Sequence, residues 1–290
     1  MINSIPKIFL ILCLFAFGGN EMFSQGASPI DLGSEPEPIY IGPIAGYNRV
    51  MHSTNKPAIP LALDDVPCPN FENGSANGFF VGASFEYILG KAANSNSSII
   101  VRAMYNTFPS YFEQQGDNLP TTVNVLQPNG TYVPEERITS INYLNDVDYS
   151  TISMDVLYKF NFLPISGNLQ LGAVAGPTVD FALTTSEINR MRLVSPDNAR
   201  LIQADPALIT QNGWSYPADG KTLQFNDGDI AGATSLRVGL KLGLQLEYSL
   251  EGVLIVPNVM YNLGLTNLSP DYDWRVSALQ FGVDVRFAVK

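Results

Sequence analysis

Residues that could do catalytic chemistry are few in this sequence. His52 is the only histidine among the 290 residues, and Ser53 follows it. A histidine titrates near neutral pH and often acts as a general base, but it needs a nucleophile and an orienting group beside it. No Gly-x-Ser-x-Gly turn, phosphate loop, His-Glu-x-x-His helix or cysteine cluster is present to supply them. The sequence therefore predicts no catalytic residue and an incidental role for His52.

Two short acidic stretches could bind a divalent cation. They are 226–229, with the order Asn-Asp-Gly-Asp, and 271–273, with the order Asp-Tyr-Asp. Neither has the full ligand spacing of a calcium loop, so no metal and no other cofactor is expected. The chain carries a formal net charge of −11, which disfavours nucleic acid as a partner and predicts a solvated acidic surface.

The most regular pattern in the chain is the alternation from Ser235 to Leu250. Large apolar residues, mostly leucine, occupy every even position, while glycines and polar or charged residues occupy the odd ones. A period of two predicts a β-strand, and this one exceeds the roughly 9–11 residues that a tilted strand needs to cross a bilayer. An apolar outer face and a crowded polar inner face are typical of a transmembrane barrel.

Seven weaker copies of this pattern complete the predicted fold. The eight strands are predicted at about 39–52, 78–90, 98–108, 151–162, 169–183, 234–250, 253–266 and 274–289. Long connections follow the first, third, fifth and seventh strands, and short turns follow the even-numbered ones. The sequence thus predicts an all-β, eight-stranded antiparallel up-and-down transmembrane β-barrel with long external loops and short periplasmic turns. A hairpin over 123–133 and a helix over 198–204 are predicted within the long connections.

The N-terminal segment carries a signal for export. Lys7 precedes an apolar run that ends at Phe17, and small residues follow at a suitable distance for cleavage. We expect a signal peptide at 1–26, a periplasmic lead-in at 27–38 and one barrel domain at 39–290. No later stretch approaches 18 consecutive apolar residues, so no helical span is expected. Export together with membrane-length strands predicts a location in the bacterial outer membrane.

The polar faces of the predicted strands carry five acidic and five basic residues. They are Glu86, Arg102, Asp155, Lys159, Asp180, Arg237, Lys241, Glu247, Asp284 and Arg286. An eight-stranded barrel has just enough interior for side chains to fill, and a buried charge is tolerated only when it is paired. We expect an ion-pair network that fills the lumen, and the alternative is a narrow gated ion path. The predicted register places Asp180 level with Arg237 and Glu86 level with Arg102, each pair within about 10 Å.

Aromatic residues gather toward the ends of the predicted strands. We expect a periplasmic girdle of Tyr87, Tyr158, Phe160, Phe162, Tyr248 and Phe287, and an outer girdle of Tyr47, Phe79, Tyr105, Phe181, Tyr261 and Trp274. The alternative is an aromatic ligand site. The girdles are favoured because these residues share a face with leucines and valines.

The last strand contains the most specific motif, Gln280-Phe281-Gly282-Val283-Asp284-Val285-Arg286-Phe287. It resembles the β-signal of outer-membrane proteins, with the signal positions at Gln280, Gly282, Val285 and Phe287, although three residues follow the terminal aromatic. Together with the strand pattern, it makes the chain resemble the small outer-membrane barrels of the Bacteroidota, the PorT-like members of the OmpA-type eight-stranded group. The resemblance implies recognition by the barrel-assembly machinery. An outer-membrane location also implies contact with membrane lipid and lipopolysaccharide.

These features predict a structural or surface-interaction role, exerted through the acidic external loops on an extracellular or periplasmic protein partner. The first alternative is a narrow channel or a small-ligand transport barrel. The second is an outer-membrane lipid-modifying enzyme that uses His52. A soluble lipocalin-like barrel is the alternative fold, but glycines on the charged face, such as Gly239 and Gly243, favour a crowded interior.

Overall fold

The computed structural model describes residues 39–58, 69–90, 95–116 and 118–289, with the side chain of residue 226 excepted. The predicted signal peptide and periplasmic lead-in lie outside the described residues. Within the described ranges, no helix is long and apolar enough to span a membrane.

Twelve strands make up most of the described part of the chain. They are β1 Ile39–Pro57, β2 Asn70–Ile88, β3 Ser97–Thr107, β4 Ser110–Gln115, β5 Leu119–Leu126, β6 Tyr132–Ser166, β7 Leu169–Ser195, β8 Ala199–Arg200, β9 Thr222–Asp229, β10 Leu236–Leu250, β11 Val253–Gly264 and β12 Arg275–Ala288. A helix, α1, spans Pro206–Asn212, and a 3-10 turn spans Pro270–Tyr272. The strands form one antiparallel sheet.

Eight of these strands pair in a series that returns to its start. The order is β1, β2, β3, β6, β7, β10, β11 and β12, and β12 pairs with β1. These are the eight strands predicted from the sequence. The period-two pattern found them because one side of this sheet is buried and the other is exposed.

Burial on these strands is opposite to that of a soluble protein. On β10 the leucines at 236, 242 and 244 are 46–52% exposed, whereas Arg237 and Lys241 are 1% exposed. The same alternation runs along β1, where the even positions from Tyr40 to Val50 are mostly buried and the odd ones mostly exposed. The sheet therefore buries its polar residues and presents its apolar residues outward, which requires an apolar solvent on that side.

Two strands continue far beyond their predicted ends. β6 has 35 residues and β7 has 27. Beyond the predicted ends, β4 and β5 pair with β6, β9 pairs with β7, and β8 pairs with β5. We call this region the distal sheet: β4, β5, β8 and β9 with residues 132–150 of β6 and 184–195 of β7. The sequence predicts loops for these segments, because they have polar residues on both faces and so lack the alternation of apolar and polar residues that indicates a strand.

The predictions inside the long connections have mixed outcomes. The hairpin is confirmed, because β5 pairs with the start of β6 across a turn at 127–131. The helix predicted at 198–204 is wrong: β8 occupies part of that range, and α1 begins only at Pro206. Asp205 is the actual N-cap, since its Oδ1 accepts a hydrogen bond from the Ala207 backbone N–H at 2.7 Å, and Pro206 suits the first helical position.

Candidate functional site

The ten predicted lumen charges all lie on the buried side of the eight paired strands. Nine of them are at most 3% exposed, and the tenth, Glu247, has a side chain that is 12% exposed. Charges buried this deeply need partners, because removing an ion from water costs several kcal/mol.

Six of these charges form one connected cluster of alternating sign. Arg286 binds both Glu86 and Asp284, and Arg102 reaches Asp284 with a distance of 3.5 Å between NH2 and Oδ2. Lys159 joins Glu86 to Glu247, with 2.5 Å between its Nζ and Glu247 Oε2. The cluster contains three cations and three anions, so it is neutral as a unit.

The other four charges form two separate pairs. Lys241 Nζ lies 2.9 Å from Asp155 Oδ2, and Thr178 donates a hydrogen bond to Asp155 Oδ1 at 2.7 Å. Arg237 binds Asp180 through Nε at 3.1 Å and NH2 at 2.5 Å. Each carboxylate therefore receives more than one donor.

The strand register aligns one of the two predicted pairs, Asp180 with Arg237, and offsets the other, Glu86 with Arg102. Arg237 and Asp180 are direct cross-strand partners, as the predicted register requires. Arg102 lies opposite Ser84, two residues from Glu86 along β2, and its salt bridge goes to Asp284. Arg102 and Asp284 belong to β3 and β12, which are not neighbours, so this contact crosses the interior.

A buried cluster of rings that the sequence does not predict lies at the end of the paired strands where β1 passes His52 and β12 begins. We call it the aromatic cap: His52, Phe108, Phe112 and Trp274. Trp274 is fully buried, and its Nε1 donates a hydrogen bond to His52 Nδ1 at 3.0 Å. The other ring nitrogen of His52, Nε2, then carries the proton and donates to the Phe108 carbonyl at 3.1 Å. Phe112 packs edge-on against the His52 and Trp274 rings.

The placement of Trp274 in the outer girdle is therefore wrong. Trp274 lies one residue before β12, and its even position gives it the same side as Val276 and Ala278, which are both buried. The outward residues of this strand have odd numbers. The period of two along β12 already indicates, from the sequence alone, that Trp274 faces inward.

On β1, His52 lies five residues beyond Tyr47 of the outer girdle, and the charged Arg49 lies between them on the outward face. Its ring is 2% exposed. Burial, together with the nearby Arg237 cation, lowers the pKa of His52 to about 3. A neutral ring with both nitrogens hydrogen-bonded is a packing residue, so the geometry gives the His52 enzyme hypothesis no support.

A further ion pair lies in the distal sheet and at the end of β1 beside it. Lys56 binds Glu187, and Asn145 Nδ2 donates to Glu187 Oε2 at 2.9 Å. Burial lowers the pKa of Lys56, and Glu187 opposes that shift. From the sequence, Lys56 and Glu187 are expected in the long connections, because the predicted strands end at 52 and 183. The available signal was the alternation of β1, which continues through positions 52, 54 and 56.

The remaining predicted aromatic residues lie on the outward side. Two are half-buried, Tyr105 and Tyr261. The others are exposed: Tyr47, Phe79, Tyr87, Tyr158, Phe160, Phe162, Phe181, Tyr248 and Phe287.

The β-signal positions are divided between the two faces of β12. Gln280 is buried and donates to Asn48 Oδ1 at 2.8 Å, and Gly282 lies against the Phe80 ring. Val285 is half-buried and Phe287 is exposed.

The two acidic stretches considered for a cation are placed on β9 and in the 3-10 turn. Among the described residues, no group of three or more His, Cys, Asp or Glu side chains is arranged to hold a metal ion.

No family model matches this sequence, and no curated protein matches it either. Among solved structures, Neisserial surface protein A is 13% identical with a TM-score of 0.36, covering 88% of this chain and 100% of that one. Ail, the attachment invasion locus protein of Yersinia pestis, is 10% identical with a TM-score of 0.28 at coverages of 88% and 100%. The translocator domain of the Neisseria meningitidis autotransporter NalP is 9% identical with a TM-score of 0.23, at 98% and 96%.

All three are outer-membrane β-barrel proteins. The location follows from the surface of the chain itself. Exposed leucines, valines and phenylalanines cover the outward side of the paired strands, with tyrosines near their ends. Such a surface is stable only in lipid, and strands that bury their charges inward are typical of outer-membrane proteins. The protein is an outer-membrane protein.

Proposed function

We propose that this protein is a sealed eight-stranded transmembrane β-barrel that holds the distal sheet at the cell surface. The cyclic pairing order supports the barrel, since a closed sheet has no edge to expose to lipid. The turns between β6 and β7 and between β10 and β11 are short, and short turns are expected on the periplasmic side. The distal sheet would then face the outside of the cell.

The inference that the interior is sealed rests on the side chains that fill it at three successive levels along the strands. The six-charge cluster lies nearest the short turns, and the Lys241–Asp155 and Arg237–Asp180 pairs follow. The aromatic cap around Trp274 closes the far end. Opening an ion path would require breaking several buried ion pairs, each of which would leave an uncompensated charge.

The distal sheet supports a surface-interaction role. Ile138 on β6 is 71% exposed, and α1, in the connection between β8 and β9 of this sheet, has no buried residue, so these elements present apolar surface that their own fold leaves uncovered. We propose an extracellular protein partner for it. Kinship with the PorT-like group, contact with lipopolysaccharide, and recognition of Gln280, Gly282, Val285 and Phe287 by the assembly machinery belong to the same proposal. No catalytic activity is proposed.

Single-channel recording tests the sealed interior. The purified protein, refolded and inserted in planar bilayers, should give no sustained open current, whereas a porin inserted in the same bilayers should conduct. Sustained, discrete openings of the wild-type protein would overturn the sealed barrel and favour the channel.

A loop replacement tests the surface role. Residues 197–220, which include α1, would be exchanged for a short Gly-Ser linker, and both proteins would be isolated from cells with their bound partners. The replacement should keep the barrel folded and lose the partner. Retention of the same partner by both proteins would place the interaction elsewhere.

A further inference from the structure

The outward face of β1 carries a single charged residue, and it lies just beyond the outer girdle. Arg49 is exposed and follows Tyr47 by two positions, which is about 7 Å along an extended strand. Its cross-strand neighbours are Asn77 of β2 and Leu279 of β12. Because interfacial aromatic residues mark the depth at which lipid headgroups begin, Arg49 lies at headgroup depth in the proposed barrel.

Hydrogen bonds hold the Arg49 side chain against the outer wall of the sheet. Its NH1 donates to Asn77 Oδ1 and its NH2 donates to Ser75 Oγ, each at 2.9 Å. The Tyr47 hydroxyl also donates to Asn77 Oδ1. We call these four residues, Tyr47, Arg49, Ser75 and Asn77, the Arg49 cluster. Its guanidinium is positioned before any ligand arrives.

The Arg49 cluster uses its acceptors internally and leaves donors free. Asn77 Oδ1 and Ser75 Oγ both accept from Arg49, so the Asn77 amide nitrogen, the Ser75 hydroxyl hydrogen and the remaining guanidinium N–H groups are still able to donate. Within the described ranges, Asn77 Nδ2, Ser75 Oγ and Arg49 Nε donate no hydrogen bond. A group of donors around one cation suits an anion.

No carboxylate neutralises Arg49 in the part of the chain that the structure describes, whereas Arg137, Arg190 and Arg275 each form an ion pair with one. The outward residues that surround the cluster on β1, β2 and β12 include no acidic residue. They are Met51, Ser53, Asn73, Phe79, Ser277, Leu279 and Phe281. In a chain with a net charge of −11, this part of the surface is locally cationic.

We propose that the Arg49 cluster binds the phosphorylated sugar headgroup of lipopolysaccharide. The inference rests on the proposed barrel and on its orientation, which places this end in the outer leaflet. Arg49 binds a phosphate through its planar fork, and the Ser75 hydroxyl and Asn77 amide donate to phosphate or sugar oxygens. Tyr47 and Phe79, which are exposed on the outward side, contact the acyl chains.

The chemistry of the cluster favours this headgroup over that of a phospholipid. The ammonium of a zwitterionic headgroup would find no carboxylate on this face. A phosphate monoester carries about −1.5 to −2 charges at pH 7, more than the single charge of a phosphodiester, and so gains more from a cation. Hydroxyl and amide donors beside Arg49 also match the hydroxyl-rich sugar that carries the phosphate.

Native mass spectrometry tests the site and separates the two lipid classes. The purified protein is kept in detergent micelles with equal amounts of bisphosphorylated lipid A, its dephosphorylated analogue and phosphatidylglycerol, and the bound lipids are counted. Bisphosphorylated lipid A should be enriched on the protein about tenfold over each of the other two. Equal binding of the dephosphorylated analogue would overturn the phosphate site, and equal binding of phosphatidylglycerol would overturn the sugar headgroup.

Matched variants locate the binding. Arg49→Gln removes the charge but keeps amide donors, and it should lower the enrichment of lipid A about tenfold. Arg49→Lys keeps the charge without the planar fork and should give an intermediate value. Arg137→Gln, at a surface arginine paired with Glu135, should change the enrichment less than about twofold. The same enrichment in Arg49→Gln and wild type would place any lipid site elsewhere and overturn the proposal.

Folding is checked separately from binding. Arg49 is exposed, so its replacement should leave the fluorescence of the buried Trp274 unchanged. The comparison of lipids on the wild-type protein needs no variant, so it tests the proposal even where a variant fails to fold. A wild-type protein that fails to insert into lipid vesicles would instead refute the proposed barrel, and the two failures are therefore distinguishable.

Discussion

Replacing Arg237 by methionine should destabilise the protein strongly. Arg237 is 1% exposed and Asp180 is 0% exposed, so the substitution leaves a carboxylate in the interior without its cation. It also removes the donor that reaches the Val276 carbonyl from NH1 at 2.7 Å. The Ser153 hydroxyl still donates to Asp180 Oδ1 at 2.5 Å, but one neutral donor does not replace a cation.

The expected cost follows from what the substitution leaves behind. Breaking a buried ion pair by removing one partner costs about 3–5 kcal/mol, because the remaining charge is desolvated without compensation. Replacing both partners, as in Arg237→Met with Asp180→Leu, removes the stranded charge and should cost only about 1–2 kcal/mol. The double variant is therefore expected to be more stable than the single one.

Equilibrium unfolding in denaturant from lipid vesicles measures these differences. The intrinsic probes are Trp214 and Trp274, the only two tryptophans in the sequence. Arg275→Met is the matched control, because Arg275 pairs with Asp273 on the surface, where the two side chains are 61% and 68% exposed. Such an exposed pair contributes about 0–1 kcal/mol.

Two results would refute this reasoning. One is a loss below about 1 kcal/mol for Arg237→Met, which would mean that water or another cation compensates Asp180. The other is a double variant that loses as much as the sum of the two single variants. That result would show that the two side chains contribute independently and not as an ion pair.

The remaining predictions concern the aromatic cap and the tight backbone contacts. Because the pKa of His52 falls from 6.5 to about 3 on folding, its contribution to stability is complete above pH 6.5 and is lost as the pH falls toward 3. Between pH 6.5 and 5 the loss is about 2 kcal/mol, and a His52→Phe variant measured by the same unfolding assay should lack this slope. Gly176→Ala should cost about 1–3 kcal/mol, because the new methyl group would collide with the Val156 carbonyl. Gly167→Ala, in the short turn where no described atom would lie within 4 Å of the new methyl group, should change the stability by less than about 0.5 kcal/mol; equal effects would contradict the collision.

The sequence alone determines the faces of the eight paired strands. Side chains alternate with a period of two, so one slip would turn every leucine of β10 inward, and the pattern from Leu236 to Leu250 admits a single orientation. The same rule by itself assigns all ten charges to the buried side. It fails beyond the apolar band, where β6 and β7 continue with polar residues on both faces and alternation no longer separates lipid from interior.

Only the tertiary structure decides which charges meet. Alternation predicts that Arg102 and Asp284 point inward. Their contact joins β3 to β12 across the interior, and the distance between the two side chains depends on the register and curvature of the strands between them. The same holds for His52 and Trp274, which are separated by 222 positions in the sequence. The buried amide of Gln245, which finds no hydrogen-bond partner among the described residues, likewise becomes visible only when every possible donor and acceptor nearby has a position. A strand pattern specifies a face, whereas a partner is specified by three-dimensional packing.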